Sequence, residues 1–180
     1  MLGNEAWVAL TSEDPRALAA LVRSGTPALP VMAPALHRHL RELPSVENGL
    51  RFSEQLVLEM LCECGSVTLR YVWRQLTLDR DPLPYNTDLA FLDLIQYMLA
   101  VSEPLLSILP GPLDEKPPFK ELPFGRRVSI TEIGRAVLRG ERDWLSLRPM
   151  ARWVGGVHIQ PGVAGWRWDE ARGEAVFREA

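Results

Sequence analysis

Apolar residues in the first fifty positions recur at helical spacing. Residues 5–10 and the stretch that follows Pro15 each fit a short helix, and Gly25 is a typical stop for the second. Thr26-Pro27 repeats the capping signal that Ser12 to Pro15 gives before the second helix. The next apolar residues are spaced 3, 4, 4 and 3 apart and share one helix face: Leu29, Met32, Leu36, Leu40 and Leu43. Because Pro34 lies within this set, we expect a kink or a split there.

The middle of the chain, residues 51–143, predicts helices and two short strands in a particular order. Ser53, Thr68 and Thr87 each precede an apolar helical pattern that they can cap. Residues 105–108 and 128–130 are strand candidates, separated by a loop with prolines at 110, 112, 117, 118 and 123. A last helix follows Thr131 and ends at Gly140. Three helices, a strand, a loop, a strand and a helix predict a winged-helix-like core, which is a helix-turn-helix with an appended β-hairpin.

The tail, residues 144–180, has a different pattern and contains four of the six tryptophans. Residues 153–159 predict a strand approached by a glycine pair, and residues 166–177 predict a β-hairpin. The sequence therefore predicts an α+β, mainly α fold in three parts. These are an N-terminal helical segment (1–50), a winged-helix-like module (51–143) and a Trp-rich β extension (144–180) packed on the same core.

Composition and charge narrow the classes of function. The chain has 180 residues, 47% of them hydrophobic, and a net charge of −3, so it lacks the basic excess of a general nucleic-acid binder. Its two cysteines, Cys62 and Cys64, are too close to staple a fold, which suits a reducing compartment. The N-terminus lacks a signal-peptide pattern and no apolar run approaches a membrane span. We therefore expect a cytoplasmic bacterial protein with no membrane contact.

Several stretches together resemble one family. They are residues 17–30, His39-Leu40, residues 44–50, Ile130 to Leu138, Arg152 to His158, and Trp166 to Asp169. Together they resemble the C-terminal portion of bacterial proteins in the domain-of-unknown-function 1835 family, from about Ala6 to Asp169. Members usually carry a further N-terminal domain with acidic and histidine-containing motifs, which is not found in this sequence. The resemblance implies an architecture that contains a winged-helix-like module, and it implies no activity.

Two pairs of potential metal ligands are placed unfavourably for a shared site. His37 and His39, like Cys62 and Cys64, are two residues apart on predicted helices, so the members of each pair point about 200° apart. A helical chelate needs a spacing of three or four. We expect no metal and no cofactor, with Cys62 in the core and the histidines on a solvated face.

The expected recognition helix, Thr87 to Leu99, has the wrong charge for DNA. It holds Asp88 and Asp93 and no Lys or Arg, and only Asn86 and Gln96 could read bases near it. From Arg51 to Gly140 there are 10 basic and 12 acidic residues. The basic side chains that could touch nucleic acid or another partner are on the second helix and the wing: Arg70, Arg74, Lys120, Arg126 and Arg127. The same residues are equally compatible with an ordinary solvated hairpin.

The tail offers a second candidate site. His158 with Asp169 would be the minimum set for general acid–base chemistry, but no nucleophile or phosphate motif accompanies them. Trp166 and Trp168 share one strand face, either as the lid of a small core or as an exposed aromatic patch that engages a partner. Trp153 completes the candidate tail site.

These observations favour a non-enzymatic protein-interaction or regulatory module with a protein partner. A winged-helix transcription regulator that binds DNA is the alternative, and a partial enzyme that uses His158 is the third hypothesis. The sequence leaves the oligomeric state open.

Overall fold

The computed structural model describes residues 2–84, 87–111 and 123–179. The chain divides into two compact units. Unit 1 comprises Met1–Phe52 and Asp143–Ala180, and unit 2 comprises Ser53–Arg142. The predicted N-terminal and C-terminal segments thus contribute to the same unit.

The N-terminal part of unit 1 is helical. Its helices are α1 (Leu2–Leu10), α2 (Arg16–Ser24) and α3 (Met32–Leu40). Gly25, with φ +77°, ends α2 as expected. The predicted start at Thr26-Pro27 is wrong, because α3 begins six residues after Thr26, whose hydroxyl oxygen accepts from Ala33 N–H at 3.0 Å. Pro34 therefore lies in the first turn of α3, where its missing N–H is tolerated, and the predicted interruption of a longer helix does not arise.

The C-terminal part of unit 1 contains a short 3₁₀ helix and two hairpins. The bounds are Trp144–Leu147 for the 3₁₀ helix, then β4 (Arg152–Val154), β5 (Val157–Ile159), β6 (Gly165–Asp169) and β7 (Glu174–Arg178), the strands being numbered along the whole chain. The single strand predicted over residues 153–159 is wrong. Gly155 and Gly156 form the turn of a hairpin, with Trp153 opposite His158. The hairpin predicted over residues 166–177 is confirmed, with Trp166 opposite Phe177.

The turn of the first hairpin packs tightly on the end of α1. Gly156 N–H donates to Leu10 C=O at 2.9 Å. A Cβ on Gly156 would lie 2.1 Å from Thr11 O, and one on Gly155 would lie 2.3 Å from Leu10 O. The glycine pair is therefore required by this close backbone approach.

Unit 2 follows the predicted order, with one additional strand. Its elements are α4 (Phe52–Cys64, whose first residue belongs to unit 1), β1 (Val67–Thr68), α5 (Leu69–Arg74) with a π-helical continuation (Gln75–Arg80), α6 (Asp88–Leu99), β2 (Leu106–Leu109), β3 (Arg127–Ile130) and α7 (Glu132–Leu138). The predicted caps Thr68, Thr87 and Thr131 are confirmed: each hydroxyl accepts from the backbone N–H three residues on. Ser53, by contrast, lies inside α4 and is buried.

The sheet of unit 2 is antiparallel, with strand order β1–β3–β2. Ile108 lies opposite Val128, and Val67 pairs with Val128 from the other side. The apolar faces of the helices pack as predicted and are fully or almost fully buried, among them Val57, Leu61, Leu69, Val72, Phe91, Ile95, Met98 and Val137. Cys62 is an exception. It was expected in the core, but it is exposed at the end of α4.

The described residues thus form an α+β, mainly α structure with small antiparallel sheets. None of the helices among these residues is long and apolar enough to cross a membrane.

Candidate functional site

The outer face of α6 presents an apolar and acidic surface. Leu89 is 56% exposed, Asp93 is exposed and Gln96 is half-buried. Their spacing of four and three residues places them on one side of the helix, opposite the buried Phe91 and Ile95. Asn86, the other expected base reader, lies outside the described residues. The predicted recognition helix therefore offers a leucine and an aspartate where a DNA reader would offer cations.

Strand pairing in unit 2 brings three of the predicted basic residues together. Thr68 in β1 pairs with Arg127 in β3, and Leu69 N–H donates to Arg126 C=O at 2.9 Å. Arg70 N–H donates to Phe124 C=O, and the Arg70 guanidinium lies 5.5 Å from the Phe124 ring centroid. The backbones of these three residues (Arg70, Arg126 and Arg127, the cluster below) are neighbours because of β1, which the sequence did not predict.

The guanidinium groups of the cluster are partly used by the fold itself. Arg126 donates to the carbonyls of Pro110 and Gly111, and Arg127 donates to the Ser66 carbonyl and hydroxyl. Arg74, one turn beyond Arg70, is exposed. Lys120 lies outside the described residues. The cluster keeps its positive charge, but much of its hydrogen-bonding capacity holds β3 and the strand ends in place.

Other arginines of unit 2 are neutralised by carboxylates. The ion pairs are Arg80–Glu63, Arg135–Glu132, Arg139–Glu141 and Arg142–Glu103. The Arg80 guanidinium donates to Glu63 and holds the pKa of that carboxyl below its ordinary value. These pairs reduce the positive surface that could attract a phosphate backbone.

In the tail, Trp153 and His158 form an exposed stack. They are directly opposite in the β4–β5 hairpin, with ring centroids 4.5 Å apart and an angle of 21° between the planes. Trp153 is 64% exposed. This pair is the part of the candidate tail site that faces solvent.

The remaining predicted tail residues have structural contacts. Trp168 is buried, its Nε1–H donates to Glu170 at 2.6 Å, and the ring of His37 packs edge-on against it at 5.8 Å. Trp166 packs against Phe177 across the hairpin, under the guanidinium of Arg16. Asp169 accepts from Arg172 N–H in the β6–β7 turn.

The geometry does not assemble an acid–base pair around His158. His158 lies in the β4–β5 hairpin and Asp169 at the end of β6, each engaged as described above. Among residues 2–84, 87–111 and 123–179, His158 has no carboxylate within ion-pair or hydrogen-bond distance. The enzyme hypothesis therefore has no supporting contact.

The possible metal ligands are dispersed. Cys64 lies 3.8 Å from the Tyr71 hydroxyl, and Arg135 donates to Cys62 at 3.3 Å. In the described part of the chain, no group of three or more His, Cys, Asp or Glu side chains is placed to hold a metal ion.

The expected solvated face of α3 is wrong. Arg38 is buried and donates to Glu42 at 2.7 Å, and its guanidinium lies 4.7 Å from the centroid of the Phe52 ring. His39 is also largely buried, and this desolvation lowers its pKa below the ordinary value near 6.5. The i,i+4 spacing of Arg38 and Glu42 was the available signal for this contact.

Sequence reasoning also missed a cavity of about 260 Å³ in unit 1, next to Gly165 and Arg178. A glycine at the start of a strand leaves no apolar pattern, so the sequence carried no signal for this space.

No family model matches the chain. No curated protein and no solved structure matches it either. The resemblance to the domain-of-unknown-function 1835 family thus stays a prediction, and function has to be argued from the geometry.

Proposed function

We propose that this chain is a non-enzymatic, cytoplasmic protein-interaction module in which unit 2 is a winged helix. Support for the winged helix comes from the element order α4, β1, α5, α6, β2, β3 and α7 and from the strand order β1–β3–β2. In such a fold α6 occupies the recognition position and the segment between β2 and β3 is the wing.

The observation that supports a protein partner is the outer face of α6. An exposed leucine beside an aspartate is suited to a partner surface that combines an apolar pocket with a basic group, because apolar burial supplies affinity and charge complementarity supplies orientation. The same aspartate would face the phosphates of a duplex and repel them. The acidic surface thus favours protein over nucleic acid.

The test compares two leucines of similar exposure in unit 2. Leu89 is 56% exposed on α6, and Leu109 is 62% exposed at the end of β2. Tagged wild type, Leu89→Ser, Asp93→Lys and Leu109→Ser are used to retain proteins from nuclease-treated native lysate. We expect a defined partner to be retained by wild type and Leu109→Ser, and to be lost with Leu89→Ser and Asp93→Lys. Equal retention by all four proteins, or no retained partner, would overturn the proposal.

A second function, DNA binding, is favoured by one observation. Backbone contacts between β1, the start of α5 and β3 make Arg70, Arg126 and Arg127 neighbours in the chain's backbone, near the base of the expected wing. Such a cluster could contact a phosphate backbone without using α6.

Fluorescence anisotropy with a random-sequence duplex at low salt separates the two functions. We expect no binding by wild type. Binding that weakens steeply with added salt, and that Arg70→Ala and Arg74→Ala reduce, would favour the DNA-binding alternative, because phosphate contacts release counterions. The exposed Arg172→Ala in unit 1 is the matched control.

A further inference from the structure

The cavity of unit 1 lies over the first residues of the β6–β7 hairpin. It has a volume of about 260 Å³ and is bounded by the 3₁₀ helix, the end of β5, the turn at Gly162 and the β6–β7 hairpin. Gly165 lies directly opposite Arg178, and Arg167 is two residues further along the same strand. The three positions therefore share one face, and the missing side chain of Gly165 leaves space between the two arginines. A Cβ built on Gly165 would meet no atom within 4 Å.

Two of the four charges that line the cavity neutralise each other. Arg167 forms a two-pronged ion pair with Asp143, with Nη1–Oδ2 at 3.0 Å and Nη2–Oδ1 at 3.2 Å. Asp143 Oδ1 also accepts from Leu145 N–H at 2.9 Å, at the start of the 3₁₀ helix. This pair is thus a wall of the cavity with little capacity left for a ligand.

The other two charges, Arg178 and Glu179, are exposed and lack an ion-pair partner within the described ranges. Arg178 donates to the Val46 carbonyl at 3.0 Å, a contact that leaves its positive charge uncompensated. Glu179, the next residue, also lines the cavity. A bound molecule would consequently meet one positive and one negative group.

The rest of the lining combines an apolar wall with free backbone groups. Leu145 and Ile159 are buried side chains that line the cavity. On the β6 edge that faces away from β7, Trp168 N–H donates to Pro44 C=O, and Trp168 C=O accepts from Val46 N–H. Trp166, two residues earlier, directs its N–H and C=O to the same edge. In the described part of the chain these two backbone groups have no hydrogen-bond partner.

We propose that this cavity binds the zwitterion of a small apolar α-amino acid. The α-carboxylate pairs with Arg178, the α-ammonium group pairs with Glu179, and the side chain packs on Leu145 and Ile159. A simple anion would leave Glu179 without an opposite charge, and a simple cation would leave Arg178 without one. The volume is below the ~300–1,000 Å³ of pockets for drug-sized ligands, which limits the occupant to a small molecule. The proposal concerns unit 1 alone and does not depend on the winged helix.

The test uses L-leucine as the probe, with two derivatives that each lack one charge. N-acetyl-L-leucine has no ammonium group and L-leucinamide has no carboxylate. Binding to the full chain is followed by two-dimensional NMR at the backbone amides of Gly165 and Trp166, and by calorimetry. We expect L-leucine to bind at least about tenfold more tightly than either derivative, since each lost pair removes a charge-assisted hydrogen bond.

Variants assign each contact. Gly165→Val adds a side chain at the cavity, where a Cβ meets no atom within 4 Å, and should abolish binding. Gly125→Val, at a position whose Cβ also meets no atom within 4 Å, should leave binding unchanged. Arg178→Gln should remove the preference for L-leucine over L-leucinamide, and Glu179→Gln should remove the preference over N-acetyl-L-leucine. The proposal is overturned if L-leucine does not bind at millimolar concentration, if Gly165→Val binds as wild type does, or if the derivatives bind as tightly as L-leucine.

Discussion

Replacement of Gly156 by alanine tests whether the β4–β5 hairpin is held on α1 by close backbone contact. The added Cβ would lie 2.1 Å from Thr11 O, 2.3 Å from Thr11 C and 2.6 Å from Ser12 O. These are backbone atoms at the end of α1, so no side-chain rotation can relieve the contact. The φ of Gly156 is not in the left-handed region, and the effect is therefore steric and not conformational.

The expected loss of stability follows from two terms. Separation of the hairpin from α1 lengthens the 2.9 Å hydrogen bond from Gly156 N–H to Leu10 C=O, a bond worth about 0.5–1.5 kcal/mol. Overpacking against a fixed backbone costs about 1–3 kcal/mol. We expect Gly156→Ala to lower the free energy of unfolding of unit 1 by about 2–4 kcal/mol.

Urea denaturation followed by tryptophan fluorescence measures this change. With an m value of about 1–3 kcal/mol per molar for small proteins, the midpoint should fall by at least about 0.7 M. Gly165→Ala is the matched control in the same unit, because its Cβ meets nothing within 4 Å, and it should stay within about 0.5 kcal/mol of wild type. A Gly156→Ala midpoint equal to that of Gly165→Ala would refute the reasoning.

Three further changes probe other contacts by the same denaturation measurement. Burial lowers the pKa of His39, so the unfolded chain binds a proton more readily than the folded one; stability should be complete above pH 6.5 and fall as the pH drops below it. His39→Gln should flatten that dependence between pH 7.5 and 5, and an unchanged slope would contradict the assignment. Arg38→Met removes the 2.7 Å partner of the buried Glu42 carboxylate, leaving Arg51 at 3.8 Å, and should destabilise by about 3 kcal/mol, whereas a neutral effect would show that the remaining contacts of Glu42 compensate its charge. Thr131→Ala removes the cap of α7 and should lose about 1 kcal/mol, which Thr131→Ser should largely restore.

Local signals explain which elements of the fold were predictable. The caps Thr68, Thr87 and Thr131 act within one helical turn, so the sequence around each contains the whole interaction. Strand β1 has two residues, and its pairing partners in β3 are some sixty positions away. No local sequence pattern predicts such a strand. The grouping of both chain ends into unit 1 is non-local for the same reason.

The same distinction between local and non-local signals applies to the candidate site. The acidic character of α6 could be read directly, because helical periodicity identifies its outer face. The positions of Arg126 and Arg127 in the chain were visible too, but their bonds to the Pro110 and Ser66 carbonyls depend on how the strands meet. The space over Gly165 required the structure, since it is formed by elements from residues 143 to 179.

The division of unit 1 into two separate stretches of sequence has a consequence during synthesis. Met1–Phe52 emerges from the ribosome before Ser53–Arg142. Trp144 and the two tail hairpins, which complete unit 1, emerge only after Ser53–Arg142. At about 5–20 residues per second, the intervening segment takes roughly 5–20 s to emerge. During that interval the continuous unit 2 can fold, while the part of α2 that contacts β7 remains uncovered. Nascent chains halted before residue 143 should therefore be the species most prone to chaperone binding.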